Sequence, residues 1–312
     1  MQKMYKRIKI CIIGNGNHSK RLQKVLKKNK IDYVIYKRIN GDSHEKKNLE
    51  FLKNFKYIFI ASPNITHVNY IKALHKHCFI FCEKPPTNNL KDLDILKKIK
   101  SDKIYFNYNY RFSKIAQILK NKKKYNLGKL IYINIISGHG LGLKKEYKKN
   151  WRSNKKKCPK GVFEMLSIHW IDLINQIFKI TKFDKPYLNN LSGIGNSIDN
   201  SKIRLEIEKN IHADIFCSYT SPLINKKIFI FKNGSVEQNE NKIQIKGPSL
   251  NFDKNNFLKQ PKLIKSFKIN EKKDYEQSLE NSINFFFKSI KQKKFFSRTD
   301  FKKILKINSL II

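Results

Sequence analysis

Five short apolar runs open the chain: Ile8 to Ile13, Tyr33 to Tyr36, Tyr57 to Ile60, Phe79 up to Glu83, and Ile104 to Asn107. The stretches between them are longer, charged and helix-patterned. Runs this brief and uniformly apolar suit strands covered on both faces, which is the condition of a parallel sheet. Parallel neighbours need a crossover between them, and the intervening stretches supply it. Strand alternating with helix therefore predicts an α/β layer for the first part of the chain.

Directly after the first run stands Gly14-Asn15-Gly16-Asn17-His18-Ser19, followed by a basic amphipathic stretch to about Lys28. This is a GxGxxG pattern with serine third. The first two glycines allow a tight turn and close backbone approach to a pyrophosphate, whose charge the following helix N-terminus favours. Ser19 is small enough to stand where the third glycine packs helix against strand. Gly14, Gly16, Asn17, His18 and Ser19 are thus candidate cofactor residues. The residue reading the adenosine ribose falls about 20 positions on, at the end of the second run. Lys37 and Arg38 stand there, and basic residues suit the 2′-phosphate of NADP, a lean toward NADP within NAD(P).

The third run ends in Ala61-Ser62-Pro63-Asn64-Ile65-Thr66-His67. Ser62, Pro63, Asn64 and His67 are read as a cofactor-side loop, with Thr66 as the cap of a helix reaching about Leu74. The fourth run passes straight into Glu83, Lys84, Pro85 and Pro86, and proline supplies no ladder donor, so the strand stops there. Lys84 consequently sits at a carboxyl-end strand edge, where ligands bind in open α/β sheets. A catalytic lysine and an ordinary Glu–Lys ion pair both fit that position.

The chain has 312 residues, 40% of them hydrophobic, enough for two domains. Its formal net charge of +42 comes from lysines spread over almost every expected element. Biased composition explains such a spread; so does a preference for anionic, phosphorylated or nucleotide-linked ligands. With no nucleic-acid-binding motif beside the charge, specific nucleic-acid binding is not expected. No stretch is apolar enough to span a bilayer, and the N-terminus runs from basic residues straight into the first strand without a cleavage site, as in a cytoplasmic protein. Five cysteines, Cys11, Cys78, Cys82, Cys158 and Cys217, form no CxxC pair and no metal-ligand spacing. Free thiols in a reducing compartment are expected, and no metal. Cys78 and Cys82 are placed on one strand, facing the same way.

In the second part, Leu130 to Ser137, Arg204 to Glu208, Ala213 to Tyr219, Lys227 to Phe231 and Lys242 to Ile245 read as strands, with Asn233-Gly234 as a hairpin turn. Helices are expected from Gly161 to about Phe178, from about Tyr275 to Ile290 and from Thr299 to Ile312.

Taken together, GNGNHS, ASPNITH, CEKPP, NYNYRF, WRSN and GVFEMLSIHWIDL follow one another in an order that resembles the glucose-fructose oxidoreductase and inositol dehydrogenase family, Gfo/Idh/MocA. SINFFFKSIKQ and FSRTDFKKILKI are a weaker terminal echo. The resemblance covers nearly the whole chain; CEKPP and the HxxD segment are its more specific parts. It implies an N-terminal Rossmann parallel-sheet domain, residues 1–115, and a C-terminal α+β domain, residues 116–312. The second domain would carry an open, mainly antiparallel sheet for substrate binding and for a homo-oligomer, dimer or tetramer. It implies an NAD(P)-dependent oxidoreductase acting on a sugar-type CH–OH carbon.

By the same resemblance Lys84 and His169 are the catalytic pair, and Glu83 joins the cofactor side. The chemistry is coherent, since a neutral imidazole accepts the hydroxyl proton while an ammonium stabilises the developing oxyanion. A lone histidine beside a tryptophan also fits a buried, structural role. The family usually has aspartate four residues before this histidine, where Met165 stands here. Glu164 lies about 100° away around an α-helix, whereas Asp172, three residues after His169, shares its face and can orient the ring. Of the family's glycine run before this helix only Gly161 remains. Arg111, Trp151 and Arg152 are candidate substrate residues, with packing and solvation as the alternative. The competing class is a non-catalytic member serving as a nucleotide- or sugar-binding partner.

Overall fold

The computed structural model describes residues 10–36, 45–208, 210–247 and 252–312. It divides into two compact units: residues 1–109 with 279–312, and residues 110–278. The contiguous division at residue 115 therefore differs from the structure in its C-terminal part, because the last 34 residues pack into the first unit.

The first unit runs β1 (Ile10–Ile13), α1 (Asn17–Lys28), β2 (Tyr33–Tyr36), α2 (Glu45–Lys53), β3 (Tyr57–Ile60), α3 (His67–Leu74), β4 (Phe79–Glu83), α4 (Leu90–Lys98) and β5 (Ile104–Asn107). All five strands are parallel, in the order β2-β1-β3-β4-β5. The chain leaves β1 toward one edge and returns to pair β3 on the other side, so the switch point lies beyond the carboxyl ends of β1 and β3, where ligands bind in such sheets. One face of the sheet is covered by the C-terminal part of a helix spanning Glu271–Lys291. Phe59 and Phe81 stack at 4.5 Å, and Phe286 meets both edge-on at 5.7 and 5.6 Å. Each such buried side chain contributes roughly 1.5–3 kcal/mol of hydrophobic stabilisation, which is why this part of the helix belongs to the first unit.

In the second unit follow α5 (Lys114–Lys120), β6 (Leu130–Gly138), α6 (Ile168–Ile177), β7 (Ile180–Phe183), β8 (Tyr187–Asn189), β9 (Asn200–Ile207), β10 (Ile211–Ser218), β11 (Ile224–Phe231), β12 (Gly234–Asn239), β13 (Lys242–Gly247) and β14 (Lys262–Lys268). The helix Glu271–Lys291 is α7, and α8 (Arg298–Asn308) closes the chain. Among the described residues one nine-stranded sheet runs β14-β13-β12-β11-β6-β10-β9-β7, with β8 also on β9. Only β6 and β10 pair in parallel. Period-2 alternation sorts its faces: Ile133, Ile135, Phe229 and Phe231 are buried, while Ile131, Ile228 and Ile230 are exposed.

Several local expectations shift. The hairpin joining β11 to β12 turns at Lys232-Asn233, because Gly234 already pairs with Phe231. Cys78 precedes β4 rather than lying on it, and all five cysteines are buried thiols outside any disulfide. Strands β7, β8, β12 and β14, too polar to stand out in the sequence, join the sheet through cross-strand pairing. Among the described residues no helix is long and apolar enough to cross a membrane.

Candidate functional site

At the switch point of the first unit, Gly14 has φ of +102°, and a Cβ on it would meet the Ala61 carbonyl oxygen at 2.8 Å. The β1 turn thus lies directly against the β3 turn. Ser19 is fully buried and its hydroxyl donates to the Gly14 carbonyl at 2.8 Å, closing the turn it was expected to pack. Gly16 is extended, with open space where a Cβ would stand, and the first turn of α1 beyond it carries no acidic residue. Asn17 is exposed beside it. This is a cradle of backbone amides suited to an anion. Gly14→Ala is expected to cost at least ~2 kcal/mol, read as a lower urea midpoint, whereas Gly16→Ala should stay within about 0.5 kcal/mol of the parent.

The β3 loop is held differently from expectation. His67 is buried. Its ring spans two loops, with Nε2 at 3.0 Å from the Ser62 carbonyl and Nδ1 at 2.9 Å from the Pro85 carbonyl. Burial pushes its pKa down, toward the neutral ring that donates to one of the two. His67 is therefore a strut between the β3 loop and the Lys84-Pro85 segment, whose peptide bond is cis. Thr66 supplies no cap: its hydroxyl donates to the Pro63 carbonyl at 2.7 Å and lies 2.7 Å from Ser62 Oγ. Asn64 is buried, whereas Pro63 is exposed and Ser62 half-buried.

Glu83 ends β4 and is buried. Asn107 donates to its Oε1 at 2.7 Å, and His18 Nε2 lies 2.8 Å from the same oxygen. Ser282 in turn donates to Asn107 at 2.7 Å, and Tyr105 lies 2.8 Å from Ser282. Burial pushes the Glu83 carboxyl up, but His18, the Asn107 hydrogen bond and Lys84 together outweigh it and hold it below the ordinary value. The glycine turn and the β4 terminus are thereby tied through His18 and Glu83, with half-buried Lys84 the next residue. Lys37 and Arg38 lie outside the described residues.

The second unit carries the remaining candidates. Gly161 has φ of +46°, and a Cβ there would overlap the Ile198 carbonyl, so glycine is the residue the turn requires. Phe163–Ser167 then form a π-helical turn leading into α6. That turn removes the 100° spacing assumed for Glu164, which is buried and accepts from the Lys160 amide at 3.1 Å. Met165 is half-buried. His169 is buried, its ring stacked on Tyr110 with centroids 4.2 Å apart.

Two expectations are corrected on α6. Arg111 turns its fork to a carboxylate of the chain rather than to a ligand, and Asp172 is engaged by a guanidinium: Arg111 donates to both Asp172 oxygens, at 2.7 and 2.6 Å. Both are buried, the carboxylate completely. Arg111→Leu would strand that carboxylate, so a loss of about 3–5 kcal/mol in denaturant unfolding is expected. Arg152 stacks over Trp151 at 4.6 Å, and both stay half-buried.

A cavity of about 200 Å³ lies within this unit, lined by Tyr110, Trp170, Lys227, Gln238, Glu271 and Asp274 among others. Lys227 is almost fully buried; its Nζ sits 4.6 Å over the Trp170 ring and donates to Asn225, which donates to Glu271. Burial pushes the Lys227 pKa down to about 7 and raises that of Asp274. Sequence reading missed Lys227 as one lysine among many. The signal was its phase in Ile224–Phe231, where it shares a face with Phe229 and Phe231.

A parallel sheet with a glycine turn at its switch point, followed by a mixed sheet, defines a dinucleotide-binding α/β unit joined to an α+β unit. Residues 8–105 match the model of the Gfo/Idh/MocA oxidoreductase family, an NAD-binding Rossmann fold. The chain is 27% identical over 208 residues to glucose-6-phosphate 3-dehydrogenase of Bacillus subtilis, a match covering 61% of this chain and 53% of that protein; the chain spans about half the length of that relative. Levoglucosan dehydrogenase in its apo form superposes with a TM-score of 0.78 at 12% identity, covering 97% of this chain and 95% of that one. An inositol dehydrogenase homologue from Azotobacter vinelandii in complex with NAD+ gives 0.75 at 12% identity, covering 97% and 94%.

Proposed function

We propose that this chain is an NAD(P)-dependent oxidoreductase moving hydride to or from the CH–OH carbon of a carbohydrate, cyclitol or nucleotide sugar. The observation carrying this reading is the connection from the Gly14–Ser19 turn through His18 and Glu83 to Lys84. The turn fits a dinucleotide: backbone amides at Gly16, Asn17 and His18 would hold the pyrophosphate, with Ser62, Pro63 and Asn64 on the neighbouring loop. The nicotinamide, when bound, supplies the hydride acceptor or donor. Lys84 then donates a hydrogen bond to the substrate oxygen and stabilises its negative charge, and His169 takes or returns the hydroxyl proton. Tyr110 holds the imidazole plane for that transfer.

The similarity to a dehydrogenase of a phosphorylated hexose supports a sugar-type substrate. The same reading includes a homo-oligomer built through the exposed sheet face around Ile131, Ile228 and Ile230, in a cytoplasmic setting. Preference for NADP rests on Lys37 and Arg38 alone; comparing KM for NADH and NADPH tests it, and strong NADH preference removes it. The non-catalytic reading has Met165 and the missing glycine run before Gly161 in its favour. Calorimetry with both dinucleotides tests the proposal itself: micromolar affinity for one, lost in Gly14→Ala, is expected, and absence of affinity for either sinks the enzyme reading.

A further inference from the structure

We propose that Asn107 and Ser282 are positioning residues of the cofactor side: a one-way series of buried hydrogen bonds beginning at α7 holds the Glu83 carboxylate, and with it the glycine turn, in the geometry a dinucleotide requires. This rests on the oxidoreductase reading above. Period-2 alternation puts Phe81 and Glu83 on one face of β4, and Tyr105 and Asn107 on the same face of β5. The two strands pair in register, Phe81 beside Tyr105 and Glu83 beside Asn107, so a polar rung stands directly beyond an aromatic one at the carboxyl end of the sheet. Helix α7 meets both rungs with residues one turn apart. Phe286 lies 5.6 Å from Phe81 and 6.1 Å from Tyr105, and Ser282 reaches the polar rung. Ser282 and Asn107 are both fully buried, where a hydroxyl or an amide costs stability unless its partners are in place.

The direction of the series follows from counting protons. The Ser282 hydroxyl has one, and gives it to the Asn107 carbonyl oxygen at 2.7 Å. Tyr105, 2.8 Å away, therefore donates to Ser282 rather than accepting from it. With its oxygen so engaged, the Asn107 amide turns its NH2 group to Glu83 at 2.7 Å. Every proton points toward the carboxylate, an order in which successive hydrogen bonds polarise one another. Without the Ser282 proton the Asn107 carbonyl has no donor, and the amide loses the bond that fixes its rotation. Glu83 needs that support because His18, in the first turn of α1, lies 2.8 Å from the same carboxylate oxygen. That contact joins the glycine turn to the end of β4, so Asn107 and Ser282 act on cofactor binding without touching a cofactor.

Calorimetry of NADH and NADPH on the folded full chain tests this, with circular dichroism confirming the fold of each variant. For whichever dinucleotide the parent binds better, Asn107→Leu should weaken affinity about tenfold, Ser282→Ala about threefold and Tyr105→Phe less than about twofold, an order set by distance along the series from Glu83. The second readout is the pH dependence of that affinity, which a merely structural role would not move. Asn107, with His18 and Lys84, holds the Glu83 carboxyl below its ordinary value against burial. Its loss raises that pKa, so on acidification the affinity of Asn107→Leu should fall away at a higher pH than that of the parent. His18, Lys84, His67 and Cys82 also interact with Glu83, and all four are the same in both proteins, so the shift belongs to the deleted bond. Parental affinity and parental pH dependence in Asn107→Leu and Ser282→Ala overturn the inference and leave the oxidoreductase reading standing; if Asn107→Leu does not fold, Ser282→Ala with parental affinity overturns it alone. Absence of dinucleotide binding by the parent sinks that reading and the inference with it.

Discussion

Lys84→Met is expected to lower turnover roughly 10²–10⁴-fold while dinucleotide affinity changes by no more than about threefold. Methionine keeps most of the length and apolar stem of lysine but has no ammonium to place on a developing oxyanion. The surrounding frame has its own ties besides that ammonium: Glu83 is held by His18 and Asn107, and Pro85 by His67. Substrate-saturated kcat, followed by nicotinamide absorbance, and dinucleotide affinity by calorimetry separate the two effects. A variant with parental kcat would remove Lys84 from the chemistry. A loss confined to cofactor affinity would reassign it to binding.

The second large effect concerns stability. Lys227 has its pKa pushed down to about 7 by burial, against 10.5 for an ordinary lysine. Between these two pH values the unfolded chain holds a proton that the folded chain has released, so folding stability contributed by this group rises with pH. Below pH 7 both states are charged and the folded state bears the net penalty left after the attraction of Glu271 and Asp274, on the order of 5 kcal/mol at about 1.36 kcal/mol per pH step. Glu271 and Asp274 face the amine and attract its charged form, so its removal also withdraws a counter-charge from them. Lys227→Met is therefore expected to be more stable than the parent at pH 6 by ~2–5 kcal/mol, with the advantage shrinking as pH rises toward 9. Urea unfolding of both proteins at pH 6, 7.5 and 9 measures it. A variant less stable than its parent at pH 6 would mean that the carboxylates more than offset the burial of the lysine.

The strands of the first unit were legible because each is an uninterrupted apolar run bounded by turn residues, and period and composition are local properties of the chain. Tyr33–Tyr36, Tyr57–Ile60 and Ile104–Asn107 stand where the residues predict them. The glycine turn was equally legible, since φ of +102° at Gly14 is a demand that only residue type can meet. β12 and the edge strand β14 were not, because GSVEQN and KLIKSFK are polar or charged and become strands only when a neighbour offers a ladder to pair with.

Side-chain partners follow the same division. That Lys84 follows the fourth strand, and that His169 lies in a segment resembling a known catalytic helix, could be read from residue order. That His67 braces Pro85, that Asp172 accepts both donors of Arg111, and that Lys227, alone among the described lysines, is buried over a tryptophan could not. Each depends on which residues distant in the chain become neighbours, and burial then sets the charge a group can carry. The chain by itself determined the sequence of elements and the presence of the chemical groups. The tertiary structure decided their partners and protonation, because hydrogen bonds and desolvation act between neighbours in space, and no local pattern encodes those.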